Sequence, residues 1–423
     1  MLRPGGMAPL CKRPPRAARI PDRPAGRRPA DYGAHRPEGN PGTAQAQAQV
    51  QALAPRRILL SNAARAPAAA ARGRGAMTTT EACVLHAARD LRIEAVPLPE
   101  PGPGEVLLDI GAGGICGSDL HYFLDGGFGT VRLREPMILG HEVAGTVAAV
   151  GAGVAGLAPG ARVAANPSNP CGGCEYCARG EPQHCLDMRF WGSAMRMPHI
   201  QGGFRRRMVV AARQCVAVGD AVSIGEAAMS EPLAVALHAV AQAGDIAGRR
   251  VLITGFGPIG ALVLLAARHA GAGAVTVTDI VDEPLAVARR LGAEAAVNVA
   301  AAPDALTAEE RDKGRFDAAF ECSGNPRALA QAIACVRPRG TIVQVGIGGA
   351  FDVPMNAVVA KELRLAGSFR FHPEFAVAAG LIARRAIDVR PLITATHPLA
   401  QAGAAFALAA DRRAAMKVQL AFG

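Results

Sequence analysis

At 423 residues the chain has length for two domains with substantial cores, and aromatics at only 4% lead us to expect aliphatic ones. No apolar run reaches the roughly 18–20 residues of a membrane span, so no membrane partner is expected. The formal net charge of +11 suggests nucleic acid until it is located: residues 1–76 carry 14 basic and 3 acidic side chains and the remainder is balanced, which removes a nucleic-acid partner.

Residues 1–76 are rich in Pro, Arg, Ala and Gly, with an Ala-Gln repeat at 44–49. They lack an amphipathic period and read as a disordered basic extension. Three origins stay open: translation from a start upstream of a working Met77, a native tail, or an Arg-rich transit peptide that is Pro-broken and nearly Ser-free.

From Glu81 the pattern changes to short strands punctuated by Gly and Pro, among them 105–110, 143–150 and 162–165. They predict a small barrel-like β domain over 77–230. Into its loops fall Cys116, Asp119, His141 and Glu142. A thiolate, an imidazole and carboxylates together point to zinc. Cys116 lies 25 residues before His141, so folding rather than a local loop must join them. Cys171, Cys174, Cys177 and Cys185 form a second, tighter group. Four thiolates in one loop close a tetrahedron, which is a structural zinc site. Unrelated buried thiols, or a redox CxxC pair without thioredoxin-like context, fit the spacing less well. Metal thiolates suit a reducing, cytoplasmic compartment.

Glu231 then opens an apolar helical run containing Leu233, Leu237 and Val240. Taken alone it is an acid favoured at a helix N-terminus. Next, a buried-strand pattern at 249–254 runs into Gly255-Phe256-Gly257-Pro258-Ile259-Gly260 and a helix from Ala261 to His269. A second strand, 275–278, ends in Asp279, 19 residues past Gly260. This is the pattern of a doubly wound dinucleotide-binding sheet. Gly255 serves the tight turn, Gly257 the close approach of a pyrophosphate, and Gly260 the helix–strand packing, with the helix N-terminus facing phosphate. Asp279 is expected to accept from the adenosine ribose, which favours NAD; Arg289 and Arg290 keep NADP open. Turns after later strands place Cys322, Val345 and Gly346 at strand C-terminal ends, as cofactor-lining residues. The sheet is expected over 231–350, with 351–423 returning to the first domain.

Gly140-His141-Glu142-Val143-Ala144-Gly145, with Gly151 six residues on, resembles the zinc signature of the medium-chain alcohol and polyol dehydrogenases. The resemblance covers about 80–423. It implies an α/β chain with a GroES-like β-barrel-type catalytic domain and a Rossmann domain, two zinc ions (one catalytic, one structural), and a homo-oligomer, dimer or tetramer. It implies Cys116 and His141 on the catalytic zinc. Glu142 and Glu231 share the carboxylate role, and which of them binds directly stays open. It further implies a proton path through Ser118 to His121, Asp119 orienting His141, and Tyr122 and Arg370 on the substrate. The runs 165–171, 187–195 and 367–371 look like the L-idonate 5-dehydrogenase branch. There a sugar-acid carboxylate would meet Arg370 or Arg189; related polyol enzymes also carry an Arg near Arg370, so the run 188–195 is the more distinctive mark. A sorbitol/xylitol-type polyol dehydrogenase, a threonine dehydrogenase and a non-catalytic zinc- and NAD-binding protein are the alternatives.

Overall fold

The computed structural model describes residues 78–350 and 352–423; the 1–76 extension, and every reading of it, lies outside them. Two large sheets organise the described residues. The first has seven strands. Glu105–Gly114 is its centre and pairs antiparallel with Glu142–Val150, Arg207–Ala211 and Lys417–Ala421. Arg162–Ala165 and Cys215–Ala217 extend one side, and Ile393–Pro398 the other. Thr79–Ala87 and Asp90–Pro97 form a smaller antiparallel pair, whose Cys83 and Leu85 share one core with Val106, Leu108 and Phe204.

The second sheet is parallel throughout. Its six strands run in the order 295–298, 274–279, 250–254, 316–321, 336–344, 364–367. Helices Pro258–His269, Asp282–Arg290 and Pro326–Cys335 make the crossovers. The order doubles back at Arg250–Thr254, so ligands are expected at the crevice beyond the C-terminal ends of the strands flanking it. The sixth strand lies past residue 350, because Arg364–Gly367 takes up the hydrogen bonds of Thr341–Gln344. The chain rejoins the first sheet only with Ile393–Pro398 and Lys417–Ala421.

Helix Ser230–Ala243 joins the two parts. Residues Ser230 to Ala234 are all buried, and the helix packs against Glu142–Val150 of one sheet and Val336–Gln344 of the other. The cores are mostly aliphatic, as expected, with the chain's few aromatics added to them. The few aromatics are concentrated inside: Phe204, Phe256, Phe316, Phe320, Phe371, Phe375, Phe406 and Phe422 are fully buried. Aromatic rings remove much apolar area per residue from water, so an Ala-rich chain gains most by burying them. Among the described residues no helix is long and apolar enough to cross a membrane.

Candidate active site

Antiparallel pairing sets Gly114 opposite Glu142. That single register brings Cys116, just past one strand, to His141 and Glu142 at the start of the other. One donor atom from each lies within 4.8 Å of the others. Cys116 also caps helix Gly117–Asp125, whose inward face carries Asp119 and Tyr122. Asp119 accepts from the Cys116 amide (3.0 Å) and the Gly140 amide (3.2 Å). Its Oδ1 stands 3.7 Å from His141 Nδ1. That buried nitrogen has no hydrogen-bond partner among the described residues. An imidazole whose other nitrogen is turned to a carboxylate is what metal ligation favours.

The cluster is buried and crowded with acidic groups. Burial, then neighbouring Glu142, pushes the Cys116 thiol up to about 12. Burial lifts the Glu231 carboxyl to about 8, against the pull of His141 and with a further push from Glu142 and Cys116. Burial also raises Asp119. Three acidic groups, Glu142, Cys116 and Glu231, thus face one buried cation, Lys417, whose Nζ donates to both Glu142 oxygens (2.8 Å each) and to the Ile115 carbonyl (3.1 Å). A divalent cation offsets the remaining negative charge, so the donor set fits zinc. Glu142 stands in the close group but is held by Lys417; Glu231 is buried beside it, outside the mutually close set. Lys417 read from sequence only as the start of the last strand. The available signal was a lysine heading an otherwise apolar strand.

Ser118 is half-buried and His121 exposed on the same helix. His121 Nδ1 lies 3.6 Å from Asp125 and its ring packs on Phe128. No hydrogen bond joins Ser118 and His121 among the described residues. Tyr122, expected on the substrate, is buried outside the lining of the neighbouring cavity, and its hydroxyl accepts the amide of Ala194 (3.0 Å), the residue between lining residues Ser193 and Met195.

That cavity, about 460 Å³, is lined by Phe190, Ser193, Met195, Phe369 and Arg370 among others. The Phe190 ring packs on His141 (centroids 5.5 Å apart) and lies under the Arg370 guanidinium (4.4 Å). Phe369 covers the guanidinium from 4.8 Å, and Met195 sulfur accepts from it at 3.3 Å. Arg370 has a left-handed backbone (φ +56°), uncommon for a non-glycine residue. It makes no ion pair among the described residues, and burial lowers its pKa to about 10. Arg189 is exposed and lines a different cavity with Asp187, Trp191 and His199. Strand alternation sends it to the face opposite Phe190, so it does not join Arg370.

The Sγ atoms of Cys171, Cys174, Cys177 and Cys185 lie within 4.8 Å of one another. Amides of Cys171 and Asp187 donate to Cys185 Sγ at 3.2 and 3.3 Å. Amides of Cys177 and Leu186 lower Cys174 to about 6. Such donors favour thiolate, the form a metal takes.

In the parallel sheet, Gly255 has φ +83°, and a Cβ there would stand 2.7 Å from Ser323. A Cβ at Gly260 would stand 2.1 Å from the Gly255 carbonyl oxygen. Gly257 faces open space and precedes helix Pro258–His269 without a side-chain cap, leaving first-turn amides, Ile259 among them, unsatisfied for an anion. The groups fit a dinucleotide pyrophosphate. Cys322 follows Glu321, a buried residue sequence reading passed over. The Glu321 carboxylate accepts from Ser323 and Gly324 amides (2.8 and 2.9 Å), and its carbonyl takes the amides of Val345 and Gly346 (2.8 Å each). It thereby ties both crevice turns together. Asp279 is buried at its strand end but carries an ion pair with Arg412 that sequence did not announce.

Comparison with known proteins agrees with this geometry. Residues 102–220 match the alcohol dehydrogenase GroES-like domain, and residues 258–384 the zinc-binding dehydrogenase domain. L-idonate 5-dehydrogenase (NAD(P)(+)) of Escherichia coli is 40% identical over 344 residues, 81% of this chain and 99% of that protein. Its crystal structure superposes with a TM-score of 0.78, covering 82% of this chain and 99% of that one. Sorbitol dehydrogenase of Gallus gallus is 38% identical, covering 77% of this chain and 92% of its own.

Proposed function

Since the chain belongs to the zinc-binding, GroES-like alcohol and polyol dehydrogenases, and is therefore an oxidoreductase, we propose that it interconverts L-idonate and 5-dehydro-D-gluconate. The observation that carries the sugar-acid reading is Arg370. It is a cation with no carboxylate in ion-pair contact among the described residues, Glu231 acting on it only at longer range, and it is sandwiched by Phe190 and Phe369 one ring away from His141. A substrate carboxylate supplies the missing charge through a charge-assisted fork.

Bound in the chain, zinc supplies Lewis-acid polarisation of a hydroxyl, and a nicotinamide dinucleotide supplies the hydride acceptor. Cys116 and His141 hold the metal, with a carboxylate from Glu142 or Glu231 beside them. Asp119 orients His141. Lys417 holds Glu142 in place through both carboxylate oxygens. Ser118 takes the hydroxyl proton and His121 delivers it to solvent. Arg370 fixes the substrate's acid end, which would orient the rest of the sugar chain toward Cys116 and His141. Tyr122 steadies the 193–195 segment from behind through the Ala194 amide. Gly255, Gly257, Pro258, Ile259 and Gly260 receive the pyrophosphate, while Cys322, Val345 and Gly346 line the crevice. Asp279 at its strand end supports NAD as the dinucleotide, and its ion pair with Arg412 admits NADP. Cys171, Cys174, Cys177 and Cys185 hold a second, structural zinc. The reduced thiol set suits the cytoplasm. The exposed apolar side chains Ile347, Met355, Val359 and Leu365, near the edge strand Arg364–Gly367, support a homo-oligomer.

The match to sorbitol dehydrogenase favours a second reading, oxidation of a neutral polyol. NADH formation with L-idonate, sorbitol, xylitol and L-threonine, with zinc measured on the same sample, separates them. Preference for L-idonate with about two zinc ions per chain supports the first reading. Preference for sorbitol or xylitol replaces it, and zinc-loaded protein inert to all four refutes both.

A further inference from the structure

Asp279 ends the second strand of the parallel sheet, where a doubly wound fold sets an acid against the adenosine ribose. Here the carboxylate is already engaged on every side. Oδ1 accepts the amides of Ile280 (2.7 Å) and Val281 (3.1 Å). Oδ2 accepts the amide of Phe256 (2.6 Å) and a guanidinium N–H of Arg412 (2.6 Å). The Asp279 side chain is 1% exposed and that of Arg412 is 48% exposed. Arg412 does not come from the cofactor sheet. It sits in the segment between helix Ala402–Ala410 and strand Lys417–Ala421, on the return to the first sheet. Arg290, Arg413 and Glu283 line the same groove, about 310 Å³. Arg289 is turned away and donates to the Ala296 carbonyl.

A carboxylate offers about four acceptor sites. Three are filled by backbone amides that the fold fixes. Arg412 is the one displaceable donor among the described residues, so a ribose diol reaches Asp279 only by exchanging with it. A 2′-phosphate has no such competition. It finds a neutralised acid rather than a bare one, and Arg412 with Arg413 and Arg290 around it.

We propose that Arg412 sets the cofactor preference: it competes with the ribose diol of the unphosphorylated dinucleotide for Asp279 and receives the 2′-phosphate of the phosphorylated one. This rests on the reading above that the chain binds a nicotinamide dinucleotide. Calorimetric titration of the full, zinc-loaded chain with 2′,5′-ADP and with 5′-ADP tests it without turnover, and kcat/KM for NADP and NAD follows on the same samples. For Arg412→Ala the expected result is a crossing. Affinity for 2′,5′-ADP falls about tenfold to a hundredfold, the range of a lost charge-assisted contact, while that for 5′-ADP holds or tightens. Arg412→Lys, which keeps the charge and loses the fork, falls between and decides the matter if the alanine variant does not fold. Parallel weakening of both nucleotides, or no change in either, overturns the assignment while leaving dinucleotide binding intact. Failure of both nucleotides to bind the wild-type chain overturns the assignment together with the reading beneath it.

Discussion

The four-cysteine loop and the Cys116–His141–Glu142 cluster present comparable donor atoms and assemble them by opposite means. The loop draws all its donors from residues 171–185 and leaves three of them exposed or half-buried, with Cys185 buried. Amides of Cys171 and Asp187 support the Cys185 sulfur. The cluster draws on residues near 116, 141, 231 and 417, brought together by two strand pairings and a junction helix. Its acids are buried against one another, and a single lysine balances them. A local group of thiolates stands by itself; a dispersed, buried set holds only while the fold around it does.

The largest test of that contrast is removal of a loop ligand. Cys174→Ala is expected to lower bound zinc by about one ion per chain and to expose residues 171–187 to protease, because a structural site is closed by its four ligands. The cluster's metal should stay. Loss of both ions, measured by elemental analysis, would show the two regions to be coupled. Next in size is Lys417→Met, which leaves Glu142 buried without its partner. Breaking a buried pair from one side costs about 3–5 kcal/mol, to be read from urea unfolding. The double variant Lys417→Met with Glu142→Gln should recover most of it. A single variant within about 1 kcal/mol of wild type would mean that the pair is solvated. A smaller effect is expected of Asp119→Asn. Metal affinity at the cluster should weaken about 10–100-fold in chelator competition while the cysteine loop is unmoved. Equal weakening of both would assign Asp119 a general structural part.

The same contrast explains what was legible in the sequence. The cysteine spacing and the Gly255–Gly260 turn are local, and each carries its chemistry within a few residues. Strand ends near 105, 142, 162, 274 and 316 were visible because Gly and Pro punctuate them. Lys417 was hidden, since its meaning depends on Gln419 pairing with Gly114 across the chain. Arg412 was hidden for the same reason, as it meets an acid 133 positions earlier. Arg189 and Arg370 looked interchangeable as carboxylate receptors. Only the strand face at Arg189–Phe190 and the stacking on Phe190 tell them apart. The sixth parallel strand, Arg364–Gly367, was missed because four residues with two exposed apolar or charged side chains make a weak pattern until the Thr341–Gln344 edge is known.

The account's central claim is that Arg370 reads the acid end of the substrate beside the buried cluster. The direct measurement is kcat/KM for L-idonate and for sorbitol, each on wild-type chain and on Arg370→Met. The account predicts that wild type prefers L-idonate, and that the variant loses about 10–100-fold on L-idonate, the size of one charge-assisted interaction, with little change on sorbitol. A wild-type preference for sorbitol, or equal losses on both substrates, would contradict it.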